Sequence, residues 1–337
     1  MLQNFWRSMK PDLFIRADGS REIGLGHLVR SLSLAHMLKD DFNIRFISKE
    51  IPENIRNEIS KSGYKSEVIE TETLFLDDKI HKDAVVVLDG YHFDEAYQNQ
   101  IKNAGCKLVC IDDVFDRKFA ADLIINHAPG VVEENYDARP ETIFALGPDY
   151  ALLRPAFLKA AKNKLAASRR DTLFICFGGA DIQNKTKVAL EAALNFGEFK
   201  KIIIITGSAY SYLKELMPLV ENYTNIEHHH SAGEKEMVRL MTEAEAAIVP
   251  ASGILFEALA AGNKVISGTY TDNQIRVYNG FKKLGAILDA GHFEPEEIHA
   301  ALLQVQDFKT KQLIDGKSPE RIRNLFKKLI REKTFLR

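Results

Sequence analysis

A glycine-rich turn that ends in a histidine is the part of the sequence best suited to chemistry. Gly24 and Gly26 follow a short apolar run, and His27 stands at the start of the helical pattern beyond them. Glycines let backbone N–H groups approach an anion closely, and the positive end of a helix adds favourable potential. The helix dipole also disfavours a protonated imidazole, so His27 is a candidate general base. A histidine that caps the helix is the other interpretation.

Two further glycine turns lie in the second half of the chain. Gly178 and Gly179 follow one apolar run, and Ser252 and Gly253 follow another and open a helix. Such strand-to-helix turns can bind a diphosphate through backbone N–H groups. The turn at Gly178 and Gly179 alone is also typical of ordinary α/β packing. Glu257 lies four residues after Gly253 and so on the same helix face, where its carboxylate could accept hydrogen bonds from both hydroxyls of a ribose.

Carboxylates near strand ends offer a rival chemistry. A glycosidase with two catalytic carboxylates would draw on Asp18, Asp112 or Asp113. Because adjacent side chains at a strand end point to opposite faces, Asp112 and Asp113 are expected instead to order loops or to hold hydroxyl and acetamido groups of a sugar. Arg16 and Asp18 are candidates to bind substrate, or they form a structural ion pair with each other.

The elements that must position these residues alternate regularly. Apolar runs without a period-two pattern predict strands buried on both faces, at 13–16, 44–48, 84–89, 107–112, 122–126, 172–177, 201–206, 246–250 and 264–268. Helical patterns occupy 28–39, 53–62, 93–104, 185–196, 234–244, 254–261 and 274–284. This alternation predicts an α/β protein with parallel sheets covered by helices.

The alternation occurs twice, which predicts two doubly wound domains. The expected boundaries are 1–154 and 155–337, with a last helix that is a candidate to pack back on the first domain. Two such domains facing each other would put a ligand cleft between the carboxyl ends of their sheets.

Composition narrows the function classes. The 337 residues are 45% hydrophobic and 27% charged, which is ordinary for a globular protein with sizeable cores. The formal net charge of −2 argues against nucleic acid as the main partner. No apolar run is long enough to span a membrane, no secretory signal is recognisable, and three cysteines fit neither a disulfide framework nor a zinc site. The expectation is a reduced, soluble, cytoplasmic protein.

The motifs together resemble a known family. The pattern Arg-x-Asp-Gly-Ser-x-x-x-Gly-x-Gly-His-x-x-Arg is similar to that of the PseG family, the UDP-2,4-diacetamido-2,4,6-trideoxy-β-L-altropyranose hydrolases of pseudaminic acid biosynthesis. Further matches follow in order at 89–91, 112–113, 126, 147–154, 177–181 and 272–274. The resemblance extends over roughly residues 13 to 285 and so covers most of the chain.

The resemblance implies a fold and an activity. The fold would be GT-B, the two-domain Rossmann-like fold of MurG-type glycosyltransferases, with UDP held by the C-terminal domain and the sugar facing the N-terminal one. Water would replace the sugar acceptor and cleave the anomeric C1–O bond with inversion, releasing UDP and free sugar. The family's catalytic histidine falls on His27, its sugar-side tyrosine on Tyr91 and its ribose-binding glutamate on Glu257. Its Asn-Gln pair near the diphosphate and sugar falls on Asn273 and Gln274.

Some features depart from the family or find no place in it. Ser31 stands where a cysteine is common, and about ten residues precede the first strand. The run His228, His229 and His230 matches no family feature and is interpreted as a polar loop at a strand end, since three adjacent histidines cannot all face one metal ion.

Two alternatives to the hydrolase stay open. A GT-B glycosyltransferase of MurG type would share the fold and the nucleotide site and pass the sugar to an acceptor other than water. A non-catalytic protein that binds a nucleotide sugar is the third hypothesis. The chain contains no Asp-x-Asp triplet, the metal-binding motif of the other main glycosyltransferase fold, so we expect no metal and no cofactor. The resemblance suggests a monomer that binds a UDP-sugar.

Overall fold

The computed structural model describes residues 10–20, 24–163 and 171–331, which form two compact units. Unit 1 contains the described residues up to Leu152 together with Ser318–Arg331, and unit 2 contains those from Leu153 to Lys317. Residues 1–9, 21–23, 164–170 and 332–337 lie outside the described residues. They include the ends of two basic helices that the sequence predicts at 156–171 and 319–335. Among the described helices, none combines the length and the apolar character needed to cross a bilayer.

Unit 1 is built on a parallel sheet of seven strands in the order β3-β2-β1-β4-β5-β7-β9. Most of its central residues are fully buried, because helices cover both faces of a parallel sheet. Its strands are β1 (Asp12–Ala17), β2 (Asn43–Ser48), β3 (Lys65–Val68), β4 (Val85–Asp89), β5 (Lys107–Ile111), β7 (Leu123–Asn126) and β9 (Ile143–Leu146). The short strands β6 (Lys118–Phe119) and β8 (Asp137–Ala138) pair separately.

The order of the strands decides where unit 1 can bind a ligand. The chain runs outward from β1 to β3 and then returns to place β4 on the other side of β1, in register from Leu13↔Val85 to Ala17↔Asp89. The helices of unit 1 are α1 (Gly26–Leu38), α2 (Glu53–Lys61), α3 (Glu72–Asp78), α4 (Glu95–Asn103) and, at the end of the described chain, α12 (Ser318–Arg331). A crevice at the carboxyl ends of the strands where the order reverses is the usual ligand site of such sheets.

Unit 2 repeats the arrangement with six parallel strands in the order β12-β11-β10-β13-β14-β15. These are β10 (Thr172–Cys176), β11 (Lys201–Thr206), β12 (Ile226–His230), β13 (Ala246–Pro250), β14 (Lys264–Gly268) and β15 (Leu288–Asp289). The helices are α5 (Pro155–Lys162), α6 (Lys185–Phe196), α7 (Leu213–Asn222), α8 (Glu234–Glu243), α9 (Gly253–Ala261), α10 (Ile275–Lys283) and α11 (Pro295–Leu303). The reversal here lies between β10 and β13.

The predicted α/β class with doubly wound parallel sheets is confirmed, and each predicted strand is present. The sequence pattern did not predict the strands β3, β9 and β12, the two-residue strands β6, β8 and β15, or the helices α3, α7 and α11. The edge strand β3 is polar and largely exposed, so it carries no apolar run for a sequence pattern to detect.

The last described helix belongs to unit 1, because it packs there. Phe326 on α12 is fully buried, and its ring lies 5.8 Å from that of Phe42. Arg323 and Lys327 form ion pairs with Asp41 at 2.6 and 3.3 Å. The chain therefore returns from unit 2 to complete the first core.

Truncating the buried ring should destabilise unit 1. We expect Phe326→Ala to lower the free energy of unfolding by about 3 kcal/mol, because it removes buried apolar surface and leaves a cavity. Urea denaturation measures this loss. Lys328→Ala, at an exposed position on the same helix, is the control. Equal stability of the two variants would show that α12 does not contribute to this core.

Candidate functional site

The topology of unit 1 brings together residues that are 62 positions apart in sequence. His27 opens α1 after the turn that follows β1, and Asp89 is the last residue of β4. Since β1 and β4 are adjacent and parallel, both residues emerge at the carboxyl edge of the sheet where the strand order reverses. His27 and Asp89 are both buried.

The contact between these two side chains defines the state of the histidine. His27 Nδ1 lies 2.6 Å from Asp89 Oδ1. Arg30 Nη2, which can only donate, lies 3.0 Å from the same nitrogen but donates to Asp89 Oδ1 at the shorter distance of 2.6 Å. Because the carboxylate can only accept, we assign the hydrogen of the neutral ring to Nδ1, so that Nε2 is the nitrogen that can take up a proton. The residue before α1, Leu25, occupies the N-cap position, where no side chain makes a capping hydrogen bond. Capping is therefore not the role of His27.

Arg30 stabilises the negative charge of Asp89. Its guanidinium donates from Nη2 to Oδ1 at 2.6 Å and from Nε to Oδ2 at 2.8 Å, and Ser31 Oγ donates to Oδ2 at 3.1 Å. Burial alone would raise the pKa of Asp89, but the positive charge of Arg30 and the hydrogen bonds from Arg30 and His27 lower it to about 2. Asp89 is therefore ionised throughout the neutral range.

The network continues from Arg30 to a second carboxylate. Arg30 Nη1 donates to Asp113 Oδ2 at 2.7 Å, and the Tyr91 hydroxyl donates to the same oxygen at 3.3 Å. Tyr91 is 43% exposed, and its ring meets the His27 ring edge-on, with the ring centroids 4.9 Å apart. Tyr91 is thus the exposed side chain that borders the histidine. The other oxygen of Asp113 is buried and has no hydrogen-bond partner among the described residues.

Asp112 has different partners from its neighbour. Its Oδ2 accepts hydrogen bonds from the backbone N–H groups of Val114 and Phe115 and from the Tyr136 hydroxyl, at 3.2, 2.8 and 3.2 Å. Asp112 orders the loop after β5, whereas Asp113 joins the network of His27, in agreement with the expected divergence of the two side chains.

Arg16 and Asp18 form an ion pair with each other, which is one of the two roles that the sequence predicts for them. Arg16 is fully buried and donates from Nη1 and Nη2 to the two oxygens of Asp18, both at 2.7 Å. It also donates to Glu72, whose carboxylate accepts the Tyr97 hydroxyl at 2.7 Å. Asp18 in turn accepts the backbone N–H of Lys49 at 2.7 Å. The pair ties together the loops at the carboxyl ends of β1 and β2, and a direct contact with substrate stays a prediction.

The glycines of the first turn have different conformations. Gly24 adopts a positive φ of 84°, which favours glycine, and its N–H donates to the carbonyl of Ser20 at 3.0 Å. Gly26 is the first residue of α1. Residues 21–23 of the motif lie outside the described part of the chain.

In unit 2, Gly178 and Gly179 form the turn after β10. Gly178 has a positive φ of 82°, and a side chain at Gly207 would lie 2.3 Å from the carbonyl oxygen of Gly179. The turn therefore packs directly on the backbone after β11. Asp181 accepts the N–H groups of Lys185 and Thr186 at 2.9 and 2.8 Å and so satisfies the start of α6.

The third turn joins β13 to α9. Ser252 is the N-cap residue of this helix and Gly253 its first residue, and the side chain of Ser252 makes no capping bond. First-turn N–H groups of a helix have no intrahelical partner and attract anions. One turn further along, Glu257 is buried, and its carboxylate is paired with Arg154. Arg154 is the last residue of the motif at 147–154.

Asn273 and Gln274 lie in a short 3₁₀ turn, Asp272–Gln274, shortly after β14. Asn273 is exposed, whereas Gln274 is buried and accepts the N–H of Tyr270 at 2.9 Å. Gln183 donates to the Tyr270 carbonyl at 3.0 Å and so links this loop to the one after Gly178 and Gly179. The predicted nucleotide-side residues of unit 2 thus follow β10, β13 and β14, three adjacent strands.

The histidine run lies in a strand and not in a loop, so its interpretation as a polar loop was wrong. His228 and His230 in β12 both contact Thr206 Oγ1, at 2.9 and 3.1 Å. His229 points to the other face, between Glu227 and Glu236. Alternating polar contacts on an edge strand carry no apolar signal, which explains why patterning missed β12.

Asp89, Arg30 and Arg154 belong to the site although none of them is among the residues predicted from the sequence, and each lies within a matched motif. For Asp89, the signal available in the sequence was an acidic residue at the end of a fully buried strand.

Within residues 10–20, 24–163 and 171–331, no three His, Cys, Asp or Glu side chains are arranged to hold a metal ion. The expectation that none is required stays a prediction.

Comparison with known proteins identifies relatives of this chain, although no protein-family model matches it. A UDP-2,4-diacetamido-2,4,6-trideoxy-β-L-altropyranose hydrolase of Campylobacter jejuni is 26% identical over 78% of this chain and 93% of its own. The spore coat polysaccharide biosynthesis protein SpsG of Bacillus subtilis is 26% identical over 82% of this chain and 83% of its own. The resemblance that the motifs indicate is therefore confirmed.

A third relative is longer than this chain. It is an uncharacterized protein of Methanocaldococcus jannaschii, 28% identical over 80% of this chain. The match spans only 58% of that protein's length.

Solved structures show the fold. MurG of Acinetobacter baumannii has a TM-score of 0.64 at 11% identity, covering 95% of this chain and 99% of its own. The calicheamicin glycosyltransferase CalG4 has a TM-score of 0.62 at 13% identity, covering 96% of this chain and 99% of its own. The UDP-GlcNAc 2-epimerase of Methanocaldococcus jannaschii has a TM-score of 0.59 at 17% identity, covering 95% of this chain and 100% of its own. The predicted GT-B fold of two Rossmann-like domains is confirmed.

The buried charge of Asp89 should make stability depend on acid pH. Its pKa falls from 3.8 to about 2 on folding, so the unfolded chain takes up the proton first as the pH falls. The stability it contributes is complete above about pH 5, and roughly 2 kcal/mol is lost as the pH falls through 4 towards 2. We expect Asp89→Asn to remove this part of the acid dependence and to lower stability at pH 7 by about 3 kcal/mol, since it leaves Arg30 short of a buried partner.

Urea denaturation of wild type and variant between pH 7 and pH 3 measures both effects. Asp116→Asn removes an exposed carboxylate paired with Arg117 and should keep the wild-type acid dependence. An equally steep loss of stability in Asp89→Asn would contradict the assignment of the low pKa to this carboxyl group.

Proposed function

We propose that this chain is a UDP-sugar hydrolase, which cleaves the anomeric C1–O bond of a UDP-linked diacetamido-trideoxyhexose and releases UDP and the free sugar. The observation that carries the proposal is the hydrogen bond between His27 Nδ1 and Asp89, at the reversal of strand order in unit 1. The relative in Campylobacter jejuni, whose name states this hydrolysis, supports the choice of substrate class.

His27 has the properties of a general base for an attacking water. With the Nδ1 hydrogen directed to Asp89, Nε2 accepts the proton of the water as its oxygen bonds to C1. The C1–O bond breaks as this bond forms, and its electron pair stays on the β-phosphate oxygen of UDP. Attack from the face opposite the leaving group inverts the configuration at C1. Ionised Asp89 then stabilises the imidazolium that results.

The turns of unit 2 suit the UDP part of the substrate. The turns at Gly178 and Gly179 and at Ser252 and Gly253 are proposed to bind the diphosphate and to stabilise the charge that develops on it as it leaves. The donors are the N–H groups of Gly179 and Gly253 and the hydroxyl of Ser252, because the N–H of Ser252 donates to the Pro250 carbonyl at 2.8 Å. Glu257 is proposed to accept the two hydroxyls of the ribose. These groups supply the stabilisation that a metal ion supplies in other nucleotide-sugar enzymes, so we propose that the reaction needs no metal.

The sugar is proposed to contact Tyr91, Asn273 and Gln274. Tyr91, the one of these three that lies in unit 1, suits this role because it is exposed beside the His27 ring. Arg16 and Asp18 are proposed to act indirectly, since their charges are used in holding the loops after β1 and β2.

Replacing the histidine should separate catalysis from binding. We expect His27→Ala to lower kcat for UDP release by about 1,000-fold while UDP still binds, because general base catalysis is lost. The assay follows UDP release from the UDP-linked diacetamido-trideoxyaltrose without any acceptor. The control is His81→Ala. His81 lies before β4 and pairs with Asp12, so its replacement should not affect turnover.

Two other outcomes would overturn parts of the proposal. Unchanged UDP release by His27→Ala would transfer the role of base to another group, such as a carboxylate. UDP release that requires an added acceptor would identify a glycosyltransferase in place of a hydrolase.

Chelation tests the metal-free mechanism. Wild-type UDP release should be the same, within twofold or so, after dialysis against EDTA, because backbone N–H groups carry the leaving-group charge. A loss of activity that added Mg²⁺ or Mn²⁺ restores would contradict this mechanism.

A further inference from the structure

Glu257 is held by a two-point ion pair. Arg154 Nε donates to Oε1 at 2.7 Å, and Nη2 donates to Oε2 at 2.8 Å, so that each carboxylate oxygen receives one bond. Glu257 is 7% exposed. A buried carboxylate needs such a partner, and the planar guanidinium fixes both its position and its plane.

Arg154 is itself anchored. It is the N-cap residue of α5, next to Pro155, and its backbone conformation is extended there. The central carbon of its guanidinium lies 5.1 Å from the centroid of the Phe157 ring, and Phe157 is fully buried. A cation held over an aromatic face loses little further freedom when it binds a carboxylate. The guanidinium is therefore a fixed support for Glu257 rather than a mobile surface charge.

We infer that Arg154 is a positioning residue that presents Glu257 to the ribose of the nucleotide; this rests on the proposed role of Glu257. An ionised carboxylate has about four lone-pair sites, two on each oxygen. The guanidinium of Arg154 occupies one lone-pair site on each oxygen of Glu257. One site on each oxygen is left for a ribose hydroxyl. A carboxylate fixed in this plane can accept O2′–H and O3′–H of a ribose together, whereas one that rotates freely would lose side-chain entropy on binding both.

The consequence is selectivity for ribose over 2′-deoxyribose. When the 2′-hydroxyl of the ribose is missing, one oxygen of the Glu257 carboxylate lacks its hydrogen-bond donor. The nucleotide then loses the binding free energy of one charge-assisted hydrogen bond. We expect wild-type protein to bind UDP at least about tenfold more tightly than 2′-deoxy-UDP. Without Arg154 this ratio should fall to roughly threefold or less, because the carboxylate is no longer held in the plane that meets both hydroxyls.

Isothermal titration calorimetry with UDP and 2′-deoxy-UDP tests the inference without any catalytic step. The variants are Arg154→Ala, Arg154→Lys, Glu257→Gln and the double variant Arg154→Ala/Glu257→Gln. If Arg154 acts through Glu257, the ratio falls in each single variant, and the double variant is no less selective than Glu257→Gln alone. Arg154→Lys keeps the charge without the fork, so its ratio should also lie below that of wild type.

A control separates this role from a general effect on folding. Arg239→Ala removes an exposed arginine that pairs with Glu243 on α8 and should keep the wild-type ratio. Thermal unfolding of each variant shows whether it is folded. A folded Arg154→Lys with a reduced ratio supports the inference even if Arg154→Ala does not fold.

The outcomes distinguish this inference from the proposed function. A wild-type ratio in both Arg154 variants, with a reduced ratio in Glu257→Gln, overturns the positioning role and leaves the ribose contact intact. Tighter UDP binding by Arg154→Ala also overturns it, because the arginine would then compete with the ribose. A wild-type ratio in Glu257→Gln, or no binding of UDP by wild type, overturns the ribose assignment itself and the inference with it.

Discussion

The buried carboxylate of Asp89 organises the candidate site of unit 1. It accepts donors from His27, Arg30 and Ser31, all on the first two turns of α1, and it lies at the end of β4. A charge without water around it must be satisfied by fixed donors, so the start of α1 can occupy only the position that supplies them. The orientation of His27, the proton on its Nδ1 and the link to Asp113 all follow from this requirement.

Unit 2 meets a similar requirement with different groups. Glu257 is also buried and also held by an arginine, but here the carboxylate is on a helix, α9, and its partner, Arg154, comes from the start of α5. The two buried acids share one device, a guanidinium fork that fixes a carboxylate near the carboxyl edge of a parallel sheet. In unit 1 the fixed carboxylate of Asp89 orients His27, the proposed base, and in unit 2 we propose that Glu257 meets a ligand directly.

The glycines in the turns of unit 2 are required by backbone conformation and close packing, not by charge. Gly178 needs its positive φ, and Gly207 needs its missing side chain because the Gly179 backbone passes so close. Backbone N–H groups can act on a diphosphate only where no side chain covers them. Gly26 in unit 1 and Gly179 and Gly253 in unit 2 are exposed, and each unit has a buried carboxylate paired with an arginine of its own.

The sequence by itself determined the α/β class, the repeated strand–turn–helix pattern and the turns that carry His27, Gly178 and Ser252. These features are local, because buried parallel strands are apolar throughout and glycines mark the turns between strand and helix. The polar edge strands β3 and β12 carry no such local signal, so only the structure revealed them. The partners of the candidate residues were also beyond the sequence. Asp89 is 62 positions from His27, and Arg154 is 103 positions from Glu257. Their pairing depends on which strands are neighbours and where each helix begins, and only tertiary packing decides that, because a charged side chain chooses its partner by proximity in the folded chain.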